Sequence, residues 1–404
     1  MDTLLLSDHC PDDIQTAGEI LRRGGLVAIP TETVYGLAAN ALDGATVKKI
    51  YAAKGRPSDN PLIVHISQFS QLAPLVREVP QAAKKLADAF WPGPLTIILP
   101  KSDLVPQETS GGLSTVAVRC PSHPTARAVI DAAGVPLAAP SANLSGKPSP
   151  TTFRHVQEDL TGRVDALLDG GDCAVGVEST VLTLAEGTPR ILRPGGITLS
   201  QLQSVLGKVE VDPAVLHQLE QGKKAASPGM KYKHYSPKAD VIIVDASPEE
   251  YVRYVNKKGD GWALCFEEDV PFLQVPSMAY GSRYDSASQA HRLFDALHGL
   301  DDGGRLDRGR VIVHQHGVGH QIDAHRPDPR HTADGLLHVG RAGGAGHAGD
   351  VKLLFHGSFL PGRMQLFQDT AQRIHKLVDF LFPLGGIGGV LDAVLQVGRE
   401  NFPV

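Results

Sequence analysis

Short apolar segments alternate with helical segments along the first half of the chain, and this alternation restricts the fold more than any other feature. Leu26–Pro30 and Leu62–Ile66 are short, apolar and bounded by turn residues, which is typical of buried strands. The segment between them predicts a hydroxyl-rich turn and then a helix that ends near Lys54. Strands and helices that alternate in this way indicate an α/β domain whose sheet is covered by helices.

The same pattern continues to about residue 206. Helices are predicted near residues 14–21, at Gln81–Phe90, at His123–Ala133, near Arg154–Leu160 and from Thr198. The further strands are predicted at Leu95–Leu99, Thr115–Arg119, Val135–Ala139, Val164–Leu168, Ser179–Leu184 and Pro189–Leu192. We therefore expect residues 8–206 to form one α/β domain, which is the candidate catalytic domain.

Length and composition set the class of protein. A chain of 404 residues is long enough for two or three domains. Its net charge of -5 gives no overall sign of nucleic-acid binding, so an anion site must be local. The four cysteines are widely separated and form no CxxC pair, which fits a reducing compartment. The N-terminal segment lacks the pattern of a signal peptide or a membrane span, so we expect a cytoplasmic protein without a membrane partner.

The second half of the chain divides into three parts. Residues 207–239 are rich in turn residues and contain SPGMKYKHYSPKA, which predicts a basic, aromatic linker. Residues 240–301 repeat the strand and helix pattern on a smaller scale and predict a second α/β unit. Residues 302–404 follow as an atypical tail, and residues 301–350 contain no Lys, Glu or aromatic residue but seven His and eleven Gly. That composition predicts disorder, and the spacing of the histidines matches no metal-ligand motif.

Lys54-Gly55-Arg56, with Asn60 shortly after it, is the clearest functional pattern. A guanidinium offers a planar fork to phosphate oxygens, and an ammonium offers a point charge. The alternative is a basic helix end that is favoured by the helix dipole. Two prolines and a Ser-Asp pair shape the same loop, which favours anion binding. No P-loop or dinucleotide fingerprint occurs in the chain.

Other polar residues follow predicted strands, where α/β proteins commonly bind ligands. Ser141, Asn143 and Ser149 suit phosphate or ribose contacts, although such residues also simply form turns. A strand-terminal arginine or a histidine inside an apolar strand has a purely structural explanation as well. The residues alone leave these alternatives open.

Seven motifs in order resemble the threonylcarbamoyl-AMP synthases, which share the YrdC-like domain. The motifs are PTETVYGL, KGRPSDNPL with the following VHI, WPGPLT, TVAVRCPSHP, APSANLSG, GVESTV and ILRPG. SPGMKYKHYSP and the second α/β unit are similar to the long, two-domain form of the family. The resemblance implies a YrdC-like twisted mixed sheet with flanking helices, followed by a smaller Rossmann-like α/β domain.

The resemblance also implies an activity. These nucleotidyltransferases condense L-threonine, bicarbonate or CO2, and ATP into threonylcarbamoyl-AMP and pyrophosphate, with Mg2+ on the phosphates. The product serves the modification of adenosine in tRNA, so tRNA and a downstream threonylcarbamoyl transferase are expected partners. The alternative from another class is an RNA-binding or ribosome-assembly protein without adenylation activity.

Roles carried over by motif give the candidate site. Lys54 and Arg56 are the expected catalytic cations, and Ser227–Pro237 is the expected lid. Position 139, often threonine in the family, is Ala139 here. The expected ATP contacts are Arg56, Asn60, Thr115, Ser141, Ser149, Arg193 and Tyr235, and the expected threonine contacts are Thr33, His65, Arg119 and Ser179.

The chain departs from the family after YGSRYDSASQAHRLFDALHGLDD. The abrupt change of composition suggests a reading-frame shift near Gly299–Arg305, and a genuine disordered extension is the alternative. Either way, we expect the second domain to be incomplete.

Overall fold

The computed structural model describes residues 2–216, 240–301, 310–315, 337–341 and 351–355. The described chain contains two compact units, one within residues 2–216 and the other from residue 240 onward. Within these described parts, no helix combines the length and apolar character needed to cross a membrane.

The first unit is built on a single sheet of eleven strands. Its strands, in chain order, are β1 Leu4–Ser7, β2 Val27–Ile29, β3 Gly36–Asn40, β4 Ile63–His65, β5 Leu95–Pro100, β6 Thr115–Arg119, β7 Leu137–Ala138, β8 Ala166–Asp169, β9 Thr180–Thr183, β10 Arg190–Arg193 and β11 Glu210–Val211. They are ordered β1-β8-β2-β3-β7-β4-β6-β5-β9-β10-β11, with parallel and antiparallel neighbours. The expected mixed α/β sheet is confirmed.

Helices cover this sheet, and three of them begin at a capping side chain, from Asp43, Thr152 and Thr198. Asp43 caps α2 by accepting hydrogen bonds from the backbone of Ala45 and Thr46, and Gly55 ends it in a left-handed conformation with φ of 64°. The helices are α1 Pro11–Arg22, α2 Gly44–Lys54, α3 Gln81–Phe90, α4 Gln107–Ser110, α5 Pro124–Ala133, α6 Phe153–Leu160, α7 Leu199–Leu206 and α8 Pro213–Leu216.

Two apolar cores lie against the sheet. One packs Val47 and Ile50 of α2 and Leu86 of α3 against the central strands. The other packs Leu21 of α1 and Ile130 of α5 against the strands near β2. Both cores are fully buried, so the sheet is a rigid platform for the loops at its strand ends.

β3 is the main element that the sequence did not predict in this unit. Gly36–Asn40 is the small-residue segment GLAAN, which has no β-branched side chain. The sequence pattern therefore predicts it as part of the turn after β2. Tertiary pairing overrides this weak propensity, because β3 pairs antiparallel with β2 on one side and with β7 on the other.

The second unit contains a four-stranded parallel sheet in the order β12-β15-β13-β14. These strands are β12 Asp240–Asp245, β13 Trp262–Cys265, β14 Ser277–Ala279 and β15 Arg310–Gln315, and the helices are α9 Pro248–Lys258 and α10 Ser286–Asp301. A separate antiparallel pair, β16 Leu337–Arg341 and β17 Val351–Phe355, follows.

β15 corrects the predicted extent of this domain. The strand lies within the segment that composition predicted to be disordered, and that prediction is wrong for residues 310–315. Ile312 is fully buried, and β15 pairs with β12 and β13 over their length. The apolar part of RVIVHQ is short. Because glycines and histidines surround it, the composition of residues 301–350 does not indicate a strand. β15 is therefore an inner strand of the second sheet. The described residues of the predicted tail also include β16 and β17, and its other residues lie outside the described part of the chain.

Candidate functional site

The Thr31 side chain closes the turn between β2 and β3 through hydrogen bonds to the backbone of the same turn. The Thr31 hydroxyl donates to the Val34 carbonyl oxygen at 2.5 Å. The Thr31 hydroxyl oxygen also accepts from the backbone N–H groups of Thr33 and Val34 at 3.2 and 3.3 Å. These three contacts fix the conformation of the TETVY segment before any ligand arrives.

Backbone hydrogen bonds tie this turn to the loop that follows β7. The Ala142 N–H donates to the Tyr35 carbonyl oxygen at 2.8 Å, and the Tyr35 N–H donates to the Pro150 carbonyl oxygen at 2.9 Å. The two motifs PTETVYGL and APSANLSG, which are about a hundred positions apart in the chain, therefore form one structural unit.

A row of polar side chains crosses the sheet next to this unit. The strand register places His65 at the end of β4 opposite Arg119 at the end of β6, and Arg119 opposite Thr96 in β5. The Thr96 hydroxyl lies 2.8 Å from the Ser179 hydroxyl, which precedes β9. Register partners share a face of the sheet, so His65, Arg119, Thr96 and Ser179 form a continuous polar row.

Arg119 is the charged centre of the polar row. Its Nη1 donates to the Thr33 hydroxyl at 2.9 Å, and its Nε donates to the Gly93 carbonyl oxygen at 3.4 Å. Its Nη2 lies 2.8 Å from Oε2 of Glu32. The guanidinium is 4% exposed, so these contacts fix it in a region of low dielectric constant.

Burial and the charge of Arg119 together set the protonation of His65 and Glu32. Burial, reinforced by the charge of Arg119, lowers the pKa of His65 to about 3. Its neutral ring places Nδ1 3.1 Å from the Ile63 carbonyl oxygen, so Nδ1 carries the hydrogen and Nε2 is the acceptor. Burial alone raises the pKa of Glu32, but the guanidinium of Arg119 and nearby backbone N–H groups outweigh it and hold the pKa below its ordinary value.

A small apolar cluster continues from the polar row along the same face of the sheet. Ile63, Ile98, Ala117, Val181 and Leu192 form it, apart from the two larger cores. We call this cluster the apolar floor. Thr115 lies at the opposite end of β6 from Arg119, so the two residues mark the two ends of this face.

Arg193 joins the polar row through Ser179. Its Nε and Nη2 donate to the Ser179 carbonyl oxygen at 3.2 and 2.9 Å, and Nη2 donates to the Ser179 hydroxyl at 3.1 Å. Gly195 permits this arrangement, because a Cβ there would lie 2.2 Å from the backbone nitrogen of Thr180. Arg193 therefore orients Ser179, a contact that sequence reasoning did not anticipate.

Lys54 is buried against the Ser141–Asn143 loop, and its predicted catalytic role stays a prediction. The sequence predicts an ammonium that faces phosphate groups, but the side chain is 3% exposed. Its Nζ donates to the carbonyl oxygens of Ser141 and Asn143, with the Asn143 side-chain oxygen 3.4 Å away. Burial and the charge of Arg56 lower the pKa of Lys54. In this structure Lys54 holds the Ser141–Asn143 loop in place, since three acceptors already surround its three donors.

The other predicted nucleotide contacts lie around this loop and the exit of α2. Nη2 of Arg56 donates to the Pro61 carbonyl oxygen at 3.3 Å. The Asn60 side-chain oxygen is buried and has no hydrogen-bond partner among the described residues. Ser141 donates to the Asn143 side-chain oxygen at 2.5 Å.

Ser149 lies further along the same loop. It is fully buried and donates to Oε1 of Glu178 at 2.8 Å. Tyr235 and the predicted lid Ser227–Pro237 lie outside the described residues. The assignment of individual residues to ATP or threonine stays a prediction.

Thr96 and Glu32 are the two residues of the site that sequence reasoning did not assign to a ligand. Thr96 is a fully buried polar residue inside an apolar strand of the WPGPLT motif, and that polar interruption was its only signal. Glu32 lies between two threonines in the TETVY turn.

A metal ion held by protein side chains alone would need several His, Cys, Asp or Glu side chains close together. In the part of the chain that the structure describes, no three His, Cys, Asp or Glu side chains are grouped so that they could hold a metal ion.

Comparisons with known proteins agree in sequence and in structure. The sequence profile Sua5_yciO_yrdC, described as telomere recombination, matches residues 19–195, and the profile of the threonylcarbamoyl-AMP synthase C-terminal domain matches residues 197–323. The threonylcarbamoyl-AMP synthase of Pyrococcus abyssi is 53% identical over 240 residues, which are 59% of this chain and 70% of that protein.

A bacterial relative and a solved structure give the same result. The threonylcarbamoyl-AMP synthase of Bacillus subtilis is 48% identical over 303 residues, which are 74% of this chain and 86% of that protein. The crystal structure of P. abyssi Sua5 complexed with L-threonine has a TM-score of 0.70 at 41% identity and covers 78% of this chain and 92% of that chain.

Proposed function

Because this chain belongs to the threonylcarbamoyl-AMP synthase family, enzymes of the nucleotidyltransferase kind that serve tRNA modification, we propose that it makes threonylcarbamoyl-AMP itself. Its substrates would be L-threonine, bicarbonate or CO2, and ATP, and its second product would be pyrophosphate. The observation that carries this proposal is the polar row, in which a fixed arginine and a neutral histidine lie beside the apolar floor.

The polar row matches the chemistry of threonine. A fixed guanidinium such as Arg119 binds a carboxylate through two parallel hydrogen bonds. Nε2 of the neutral His65 accepts from a hydroxyl, and the Thr33 and Ser179 hydroxyls lie next to Arg119 and Thr96 as further partners. Contacts to the substrate hydroxyl reject alanine strongly, whereas rejecting serine by one methyl group is worth only about 1–3 kcal/mol.

The nucleotide would lie along the rest of the same face. The apolar floor suits the base, and Thr115 at its far end is a polar partner. The loop that Lys54 holds and the exit of α2 supply Arg56, Asn60, Ser141 and Ser149 for the sugar and the phosphates. Mg2+ would enter with ATP, since this ion keeps several waters and is usually bound through substrate phosphates.

The reaction needs no nucleophile from the protein. The threonine ammonium first loses a proton to solvent. The neutral amine then attacks the carbon of CO2, so that the N–C bond forms as one C=O π bond becomes a carbamate C–O− and a second proton leaves the nitrogen. A carbamate oxygen then attacks the α-phosphorus, and the bond to the leaving pyrophosphate breaks. The residues of the site contribute by holding the two substrates in line and by balancing charge. We propose that the product passes to a transferase that modifies tRNA.

Pyrophosphate release tests this function. We expect release with ATP and bicarbonate to depend on L-threonine. Arg119→Lys replaces the planar guanidinium, which can donate two parallel hydrogen bonds, by the point charge of an ammonium group. This substitution should raise the KM for threonine at least about tenfold and change the KM for ATP little. Arg56→Ala should abolish release, because it removes a cation from the triphosphate.

The matched control is Arg22→Lys on the exposed end of α1, which should leave both KM values unchanged. Release that does not depend on threonine, together with tight and salt-dependent tRNA binding, would instead support the RNA-binding alternative.

A further inference from the structure

Glu32 is a buried carboxylate whose oxygens lie near the guanidinium of Arg119 and near backbone N–H groups, including that of Ser122, without an aligned hydrogen bond to any of them. It is 6% exposed, and neither of its carboxylate oxygens has a hydrogen-bond partner among the residues that the structure describes. Nη2 of Arg119 lies 2.8 Å from Oε2 but is also without a hydrogen bond. The two groups therefore form an ion pair without the alignment of a hydrogen bond.

A purely structural ion pair does not explain this geometry. Removing a carboxylate and a guanidinium from water costs several kcal/mol for each ion, and their attraction compensates only when further hydrogen bonds satisfy the remaining atoms. Structural Arg–carboxylate pairs are commonly aligned as two parallel hydrogen bonds. Here acceptor capacity remains on both oxygens of Glu32 and donor capacity on Nη2 of Arg119, side by side in a buried site.

The backbone holds Glu32 in this position. Its carbonyl oxygen accepts from the Val175 N–H at 2.7 Å, and the neighbouring Thr31 hydroxyl closes the turn. Thr33, the next residue, bonds directly to Arg119. The carboxylate is therefore presented to the polar row by a fixed turn, as expected for a ligand-binding group.

A zwitterionic α-amino acid supplies the two missing partners. Its carboxylate accepts from Arg119, and its ammonium group donates to a carboxylate, which a low pKa keeps ionised. We propose that Glu32 binds the amino group of the threonine substrate directly, with Arg119 on the carboxylate, so that charges alternate across the site. This proposal rests on the proposed function. The contact persists through carbamate formation, because the carbamate nitrogen keeps one hydrogen.

The test separates direct contact from an effect through Arg119. Binding of L-threonine is compared with that of 2,3-dihydroxybutanoate of the same configuration, which keeps the carboxylate and the β-hydroxyl but has a hydroxyl in place of the ammonium. Titration calorimetry is performed on the full chain and on Glu32→Gln. We expect the substitution to weaken threonine at least about tenfold and the analogue less than about twofold.

Two results would overturn the proposal. Equal weakening of both ligands would show that Glu32 acts only by placing Arg119, and unchanged binding of both would show that it has no role. Glu19→Gln on α1, whose carboxylate is exposed, is the matched control and should bind both ligands like the unaltered chain. Should Glu32→Gln not fold, Glu32→Asp keeps the charge but withdraws it by one methylene, and the threonine-selective loss is expected there too.

Measurements on the unaltered chain distinguish a failure of the proposed function from a failure of the Glu32 assignment. If it binds no threonine and releases no threonine-dependent pyrophosphate, the proposed function fails and the assignment of Glu32 fails with it. If it binds threonine and Glu32→Gln leaves that affinity intact, only the assignment of Glu32 fails.

Discussion

His65 illustrates how a single residue depends on its surroundings. The sequence shows a histidine inside an apolar strand and leaves both a ligand role and a core role open. In the structure the ring is buried and lies at the end of the strand beside Arg119, and its role towards a ligand stays a prediction. Burial keeps it neutral, and neutrality makes Nε2 an acceptor for a hydroxyl.

The low pKa of His65 predicts a pH dependence of stability. Because the folded pKa is about 3 and the unfolded value is about 6.5, the unfolded chain takes up a proton that the folded chain does not as the pH falls below about 6.5. The free energy of unfolding therefore decreases towards low pH, by about 2 kcal/mol at pH 5 from this residue.

Denaturant unfolding of the native chain and of His65→Gln at pH 7.5 and pH 5 measures this contribution. The glutamine variant should lose about 2 kcal/mol less between the two pH values. An identical loss in both proteins would contradict a neutral His65 and indicate that the ring is protonated in the folded state.

At the scale of elements, the site depends on loops that are held by other loops. Lys54 at the end of α2 holds the Ser141–Asn143 loop, and Arg193 at the end of β10 holds Ser179 before β9. The sequence marks each motif separately. Only the contacts show that Lys54 and Arg193 position neighbouring segments that carry predicted ligand-binding residues.

Gly195→Ala tests the approach of the ILRPG loop to the strand β9. A Cβ at this position would lie 2.2 and 2.3 Å from the backbone of Thr180 and Ser179, so the loop must move away. We expect a loss of about 1–3 kcal/mol in the free energy of unfolding and a higher KM for threonine, because Arg193 loses its contacts with Ser179.

The matched substitution is Gly44→Ala at the start of α2. There the new Cβ meets the flexible end of the Glu108 side chain, which can move at little cost. We expect a change within about 0.5 kcal/mol. Equal effects at Gly44 and Gly195 would show that the close approach at Gly195 is not required.

At the scale of the whole molecule, β15 is an inner strand of the four-stranded sheet of the second unit. Its position between β12 and β13 makes residues 310–315 the inner part of a parallel sheet. His314 stacks on Tyr251 with ring centroids 4.0 Å apart and bonds to Asp269 at 2.5 Å, which ties the strand to the rest of this unit. The suggested frame shift near Gly299–Arg305 stays a prediction that sequencing of the source DNA tests.

Ile312→Ala tests the role of β15. Ile312 is fully buried in the core of the second unit, so its truncation should lower the free energy of unfolding of this unit by about 2–5 kcal/mol. Calorimetry should show a transition that shifts to lower temperature. Lys257→Ala on the last turn of α9 is the surface control, and an equal shift in both variants would argue against a core position for β15.

The sequence by itself determined the class of fold, most strand and helix positions, and the family, because periodic apolar patterns and local motifs survive without tertiary information. The family resemblance of its motifs also indicated Thr33, His65, Arg119 and Ser179 together as the expected threonine contacts. Tertiary structure alone decided that β3 and β15 are strands and that Lys54 is enclosed by carbonyl oxygens. It also decided that Thr96 belongs to the polar row and that Glu32 lies against Arg119 of that row. These properties arise from burial and strand register, which bring distant segments together, and no local pattern in the chain encodes them.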